Sequence, residues 1–141
     1  MTSLNKVYNA FLSKVLEVEY AHWTWEEVTQ DLEGLLEIAI AWFKFPRHSL
    51  EYNEHYFIDD LTSQEIQILV TYMKVEWTNR CIMSYENIKP LYEERDFSQA
   101  NLLDKLGDTL ERERTTAKQL EAVYYRSRDK KPFNYSKLAG G

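Results

Sequence analysis

Five side chains in one short stretch have donor types suited to chemistry: His48, Glu51, His55, Asp59 and Asp60. Two histidines seven residues apart with a glutamate between them would share one side of a helix. Two imidazoles and a carboxylate can hold zinc or iron. The surrounding RHSLEYNEHYFIDD has neither helical periodicity nor an HExxH arrangement, so ordinary loop polar groups are expected, with no metal and no cofactor. Asp59 and Asp60 could do acid–base work as a pair. They directly precede Thr62 and Glu65, however, where negative charge favours a helix start, and that is the expected role. Cys81, the sole cysteine, excludes an internal disulfide, fits a reducing compartment and lies on an apolar stripe, as a buried thiol does. No phosphate-cradling glycine loop, GxSxG elbow, CxxC pair or dinucleotide fingerprint occurs. A protein that binds rather than catalyses is expected.

The elements that would position these residues are helical. Leu4, Val7, Tyr8, Phe11, Leu12, Val15 and Leu16 recur at three- and four-residue steps after Thr2-Ser3, predicting a capped helix near 3–19. Thr24 and Glu27 form a capping box. Behind it Trp25, Val28, Leu32, Leu35, Leu36, Ala39, Trp42 and Phe43 predict a helix over 25–45, its last two turns central, stopped by Pro46. The polar and aromatic 47–60 stretch reads as a loop held down by Tyr52, Tyr56 and Phe57. Thr62 and Glu65 form a second box, opening a helix over 62–84 with Ile66, Leu69, Val70, Met73, Trp77 and Cys81 on one stripe. Residues 85–96, with Pro90, read as a connection.

A fourth helix is expected over 98–128. Leu103, Leu106, Leu110, Ala117, Leu120 and Tyr124 make a narrow coiled-coil-like seam, with Glu113 at its missing position. Asp108–Arg112 and Glu111–Arg114 are spaced to pair on its outer side, and Gly107 suggests close packing or a bend. The expected fold is all-α: a four-helix bundle-like body over 1–128 with a long C-terminal helix, then an extended tail over 129–141. Leu32, Leu36, Ala39, Phe43, Ile66, Leu69, Val70, Met73 and Trp77 are the expected core.

Composition narrows the partners. The 141 residues are 44% hydrophobic and 28% charged, with 4 Gly and 3 Pro, which excludes disorder and disfavours a many-stranded β fold. The longest apolar window, Leu35–Phe43, contains Glu37 and is too short to span a bilayer. The opening MTSLNKVYNAF lacks an apolar run after a basic head and predicts no secretory leader. The net charge of −6 is uneven: residues 1–65 hold twelve acidic and four basic side chains, residues 66–141 eleven and thirteen. Duplex DNA binding as the main task is disfavoured by that acidity. The four tryptophans, at helical spacing among aliphatic residues, are expected in the core rather than as stacking platforms. Arg126, Arg128, Lys130, Lys131 and Lys137 stand against Asp129 alone, with Phe133, Tyr135 and Leu138 among them. That tail suits an acidic partner surface, including the acidic half of a neighbouring copy.

Taken as a unit, DLTSQEIQILVTYMKVEWTNRCI (Asp60–Ile82), DFSQANLLDKL (Asp96–Leu106) and LEAVYYRSR (Leu120–Arg128) resemble small structural proteins of tailed bacteriophages. Those are the head-to-tail connector or neck adaptor subunits encoded among the head and neck genes. The resemblance covers roughly 60–128 and rests on structural, not catalytic, segments. It implies a virion subunit made in the bacterial cytoplasm and forming a homo-oligomeric ring, often a dodecamer, between the portal protein and the tail. DNA would be only passing cargo in the channel. It also implies a terminal extension that grips a neighbour or the portal. The longer final helix and tail depart from the commonest connector pattern and leave the station open among adaptor, stopper, tail completion and baseplate. The other reading is a small helical adaptor or regulator that binds one partner protein through its aromatic surface. A hydrolase using the loop histidines and carboxylates would require a bound metal.

Overall fold

The computed structural model describes residues 1–15, 23–88 and 96–126, and for 85–88 and 96–103 the backbone alone. Four helices are formed among the described residues: α1 (Leu4–Leu12), α2 (Trp25–Trp42), α3 (Ser63–Ile88) and α4 (Asp96–Arg126). The fold is all-α.

The helix starts follow the capping chemistry written in the sequence. Ser3 Oγ accepts from the Asn5 amide at 3.2 Å and Thr24 Oγ1 from the Glu27 amide at 3.2 Å. The Thr62–Glu65 box is reciprocal: Thr62 Oγ1 accepts from the Glu65 amide at 3.2 Å, and Glu65 Oε1 from the Thr62 amide at 2.8 Å. Each bond satisfies a first-turn amide that has no partner within its helix.

The helix ends differ from expectation. α1 stops at Leu12, not near 19, because the Ser13 hydroxyl turns back onto the Ala10 carbonyl at 2.7 Å and the Lys14 amide closes a tight turn onto Phe11; residues 16–19 of the expected helix lie outside the described residues. α2 stops at Trp42, three residues short of 45, since Phe43 is already extended at φ −80°, ψ 96°. α3 runs to Ile88, so 85–88 belongs to the helix rather than to the connection. α4 starts at Asp96, two residues early, and its 31 residues make it about 45 Å long.

α3 is the central element and packs against each of the other three. Tyr72 meets Glu121 and Thr78 meets Glu113 on α4, while Tyr72 meets Trp42 and Arg80 meets Asp31 on α2. In both series the partner number falls as the α3 number rises, so α4 and α2 each run antiparallel to α3. The N-terminus is tied to the 47–62 loop: the Phe57 amide donates to the Thr2 carbonyl at 2.7 Å, Leu4 to His55 at 2.9 Å and Leu61 to Thr2 Oγ1 at 2.8 Å. Isolated bridges Ser3–Tyr56 and Tyr52–Phe57 complete this clamp, in which Phe57 is fully buried. Tyr56 is exposed, contrary to its expected role as an anchor.

The core joins Leu4, Val7, Tyr8 and Phe11 of α1 to Leu32, Leu36 and Ala39 of α2, Ile66, Leu69, Val70 and Met73 of α3, and Phe43 after α2. Eight of the nine expected core residues are buried, and Trp77 is partly buried against the same cluster. The other tryptophans overturn expectation: Trp23, Trp25 and Trp42 are 42%, 58% and 38% exposed. Trp25 occupies the first turn of α2 and Trp42 its last residue, where the wide indole overhangs the apolar stripe. The last two turns of α2 are likewise only half covered, with Ile38 and Ile40 partly exposed.

The α4 seam packs as expected: Leu110, Glu113, Ala117 and Tyr124 are buried. Leu103 has no described side chain. Glu111 and Arg114 pair at 3.4 Å, whereas Arg112 turns to Thr109 at 3.3 Å and leaves Asp108. A Cβ placed on Gly107 would meet nothing within 4 Å, so close packing does not explain that glycine.

Candidate functional site

Glu65 is fully buried at the start of α3 and collects four donors. Besides the Thr62 amide, His48 Nδ1 lies 2.8 Å from Oε1, the His48 amide donates to Oε2 at 3.3 Å, and the Tyr124 hydroxyl donates to Oε2 at 2.9 Å. The Tyr124 oxygen accepts from the Arg47 amide at 2.7 Å, and the Arg47 guanidinium sits 4.2 Å over the Tyr124 ring. Phe43 meets that ring edge-on at 5.4 Å. One carboxylate thus ties together the 43–48 segment, the head of α3 and the last turn of α4. Burial pushes the Glu65 carboxyl up, but the bonds from Thr62, Tyr124 and His48 outweigh it and hold it below the usual range. Burial and Glu65 raise Tyr124 against the opposing Arg47 contacts.

Two further acidic groups are buried between α3 and α4. Glu113 accepts from Thr78 Oγ1 at 2.9 Å and pairs with Lys74 Nζ at 3.1 Å. Glu121 accepts from the hydroxyls of Tyr72 and, at 2.6 Å, Tyr125. Burial, then Glu121, pushes Tyr125 up to about 12 and Tyr72 higher still.

The loop residues do not converge. His48 is bound to Glu65, His55 stands exposed beside Glu54, Glu51 is exposed, Asp59 accepts from the Ser49 amide at 2.7 Å, and Asp60 pairs with the N-terminal ammonium. The two aspartates staple the loop and the N-terminus, and both stand directly before the start of α3. Among the described residues no three His, Cys, Asp or Glu side chains gather as a metal site. Cys81 is buried on α3.

Of the expected partner-binding residues, Arg126 is described: it is exposed on the last turn of α4, with Nε 3.3 Å from the Ala122 carbonyl. Arg128, Lys130, Lys131, Phe133, Tyr135, Lys137 and Leu138 lie outside the described residues.

Exposed apolar side chains cluster close to the end of α4. Trp42 is edge-on to Tyr72 at 5.5 Å, Phe45 edge-on to Tyr125 at 6.0 Å, and Phe45 is 67% exposed. A cleft of about 340 Å³ between Trp42, Tyr72 and Tyr125 is flanked by Lys44 and Lys118. One turn back along α2, Ile40, Leu50, Tyr52 and Ile58 floor a second groove of about 600 Å³, rimmed by Glu37 and Glu51. A third concavity, about 850 Å³, lies between Tyr8, Trp25 and Tyr56. Sequence reasoning missed these surfaces, having assigned the tryptophans to the core. The usable signal was position: an aromatic at the first or last residue of a helix has one side without a helical neighbour.

No protein-family model, no curated protein and no solved structure matches the chain. No described helix is long and apolar enough to cross a membrane.

Proposed function

We propose that this chain is a non-enzymatic structural subunit of a tailed-phage neck, assembling as a homo-oligomeric ring between portal protein and tail. The observation that carries this reading is the anchorage of α4. A 31-residue helix is locked at its C-terminal end by the Glu65–Tyr124–Arg47 network, and the basic, aromatic 127–141 segment follows directly. A long helix that ends in Arg126 beside exposed Trp42 and Phe45, in a chain whose first 65 residues are strongly acidic, suits head-to-tail contacts between unlike surfaces, which close into rings. Aromatic side chains are the residues that anchor such interfaces. A net negative body repels passing DNA, so a channel built from it does not retain the genome.

Native mass spectrometry of the full-length chain, alone and with a portal protein, tests the reading. A single closed oligomer, formed alone or on the portal, is expected. A monomer under both conditions contradicts it and leaves the one-partner adaptor as the better account.

A further inference from the structure

We propose that the acidic-rimmed groove between α2 and the 50–58 loop receives residues 127–141 of a neighbouring copy. The inference rests on the ring reading and names the surface through which it closes. Ile40, Leu50, Tyr52 and the 52% exposed Ile58 give the groove an apolar floor. Its rim carries Glu37 and Glu51. Glu33 and Glu37, one turn apart on α2, both lie 3.3 Å from the Tyr52 hydroxyl, whose single proton serves one of them at a time. Among the described residues no cation pairs with Glu33, Glu37 or Glu51. Burial, then the same two carboxylates, raise the Tyr52 phenol, which stays a neutral donor and leaves their charge in place.

The occupant must therefore bring apolar side chains and positive charge together. Residues 127–141 carry four basic side chains against Asp129, with Phe133, Tyr135 and Leu138 among them. Pro132 favours extended backbone at residue 131. In an extended segment residues two apart face the same way, which sets Phe133 and Tyr135 toward a floor with Lys131 and Lys137 flanking them on that side. The other two concavities fit less well: in the Trp42–Tyr72–Tyr125 cleft Lys44 and Lys118 repel this segment and Glu121 is already held by two phenols, and the third, with Glu26 and Glu54 beside Trp25 and Tyr56, exposes more polar than apolar surface. The fifteen residues after Arg126 reach at most roughly 50 Å when extended, enough for either the chain's own groove or a neighbour's. Ring closure selects the neighbour's.

The test uses full-length chain with Phe133 replaced by photoreactive benzoylphenylalanine, made in isotopically light and heavy forms, mixed, assembled and irradiated. Light–heavy crosslinks from position 133 into residues 37–58 are expected. Crosslinks confined to one chain, directed to another surface, or absent overturn the proposal. As a second arm, Glu37→Lys with Glu51→Lys should raise the concentration needed for assembly about tenfold, and mixing with Lys131→Glu, Lys137→Glu chains should restore it; failure of that rescue also counts against the groove. Native mass separates the two readings. A closed ring with crosslinks elsewhere removes the groove and keeps the ring, whereas groove crosslinks in an open or dimeric assembly remove the ring and keep the groove.

Discussion

On one flank of α3, the buried contacts to α1 and α2 are apolar, with the Arg80–Asp31 pair toward the far end of α3: Val7, Phe11, Leu32, Leu36, Leu69 and Met73 are all fully buried. On the other, against α4, burial includes Glu113 and Glu121, with Glu65 at the open end of the pair, where α3 begins and α4 ends. The apolar flank is non-directional; any side chain of similar volume satisfies it to within a modest cost. The polar flank is directional. Glu113 needs Thr78 and Lys74, Glu121 needs two phenols, and Glu65 needs Tyr124, so sliding α4 by one turn would strand three carboxylates together. Burial of hydrocarbon supplies most of the stability, and the polar contacts fix the register of the long helix against α3.

The comparison is broken most severely on its apolar side. Leu69→Ala removes a fully buried side chain and should lower stability by about 2–5 kcal/mol in denaturant unfolding; a loss within experimental error would mean that the core does not rest on this stripe. On the polar side, Tyr124→Phe keeps the ring against Phe43 and Arg47 but removes the hydroxyl shared by Glu65 and the Arg47 amide. A cost of about 1–3 kcal/mol is expected. The sharper reading is local: amide exchange in 118–126 should accelerate more than in α2, and a uniform change would remove the proposed register lock.

pH addresses the same network. Glu65 has a folded carboxyl held below its ordinary value, so on acidification the unfolded chain takes up the proton first. The contribution is complete above roughly pH 5 and is lost as pH falls through the folded value. Acid titration of stability should therefore be steep below roughly pH 4, and shallower in Glu65→Gln. At the alkaline end the sign reverses: Tyr8, Tyr52, Tyr72, Tyr124 and Tyr125 are raised, so stability should fall as pH rises above about 10, where the unfolded phenols ionise first. Gly107→Ala carries the smallest effect, a gain of about 0.5–1 kcal/mol, because the added Cβ meets open space.

Much of this was legible in the residues. Both capping boxes, the apolar stripes of α2 and α3 and the α4 seam were read from spacing alone, since each depends on local chemistry or one helical period. Even the oddity of Glu113 in the seam was visible. What spacing hides is the partner across the interface. The Thr62–Glu65 box announces a helix start, but nothing local says that the same carboxylate would be buried under Tyr124, 59 residues away. The exposed tryptophans failed for the related reason that a stripe has ends. Trp25 and Trp42 fit the period of α2 and sit where the helix outruns its cover.

The account's central claim is a division of labour: the helical body folds by itself and the segment after α4 assembles it. Deleting residues 129–141 and measuring helicity, thermal midpoint and assembled mass on the same sample tests this directly. The account predicts unchanged helicity and midpoint with loss of the ring and of incorporation into the virion neck. A truncated chain that still assembles normally would contradict it.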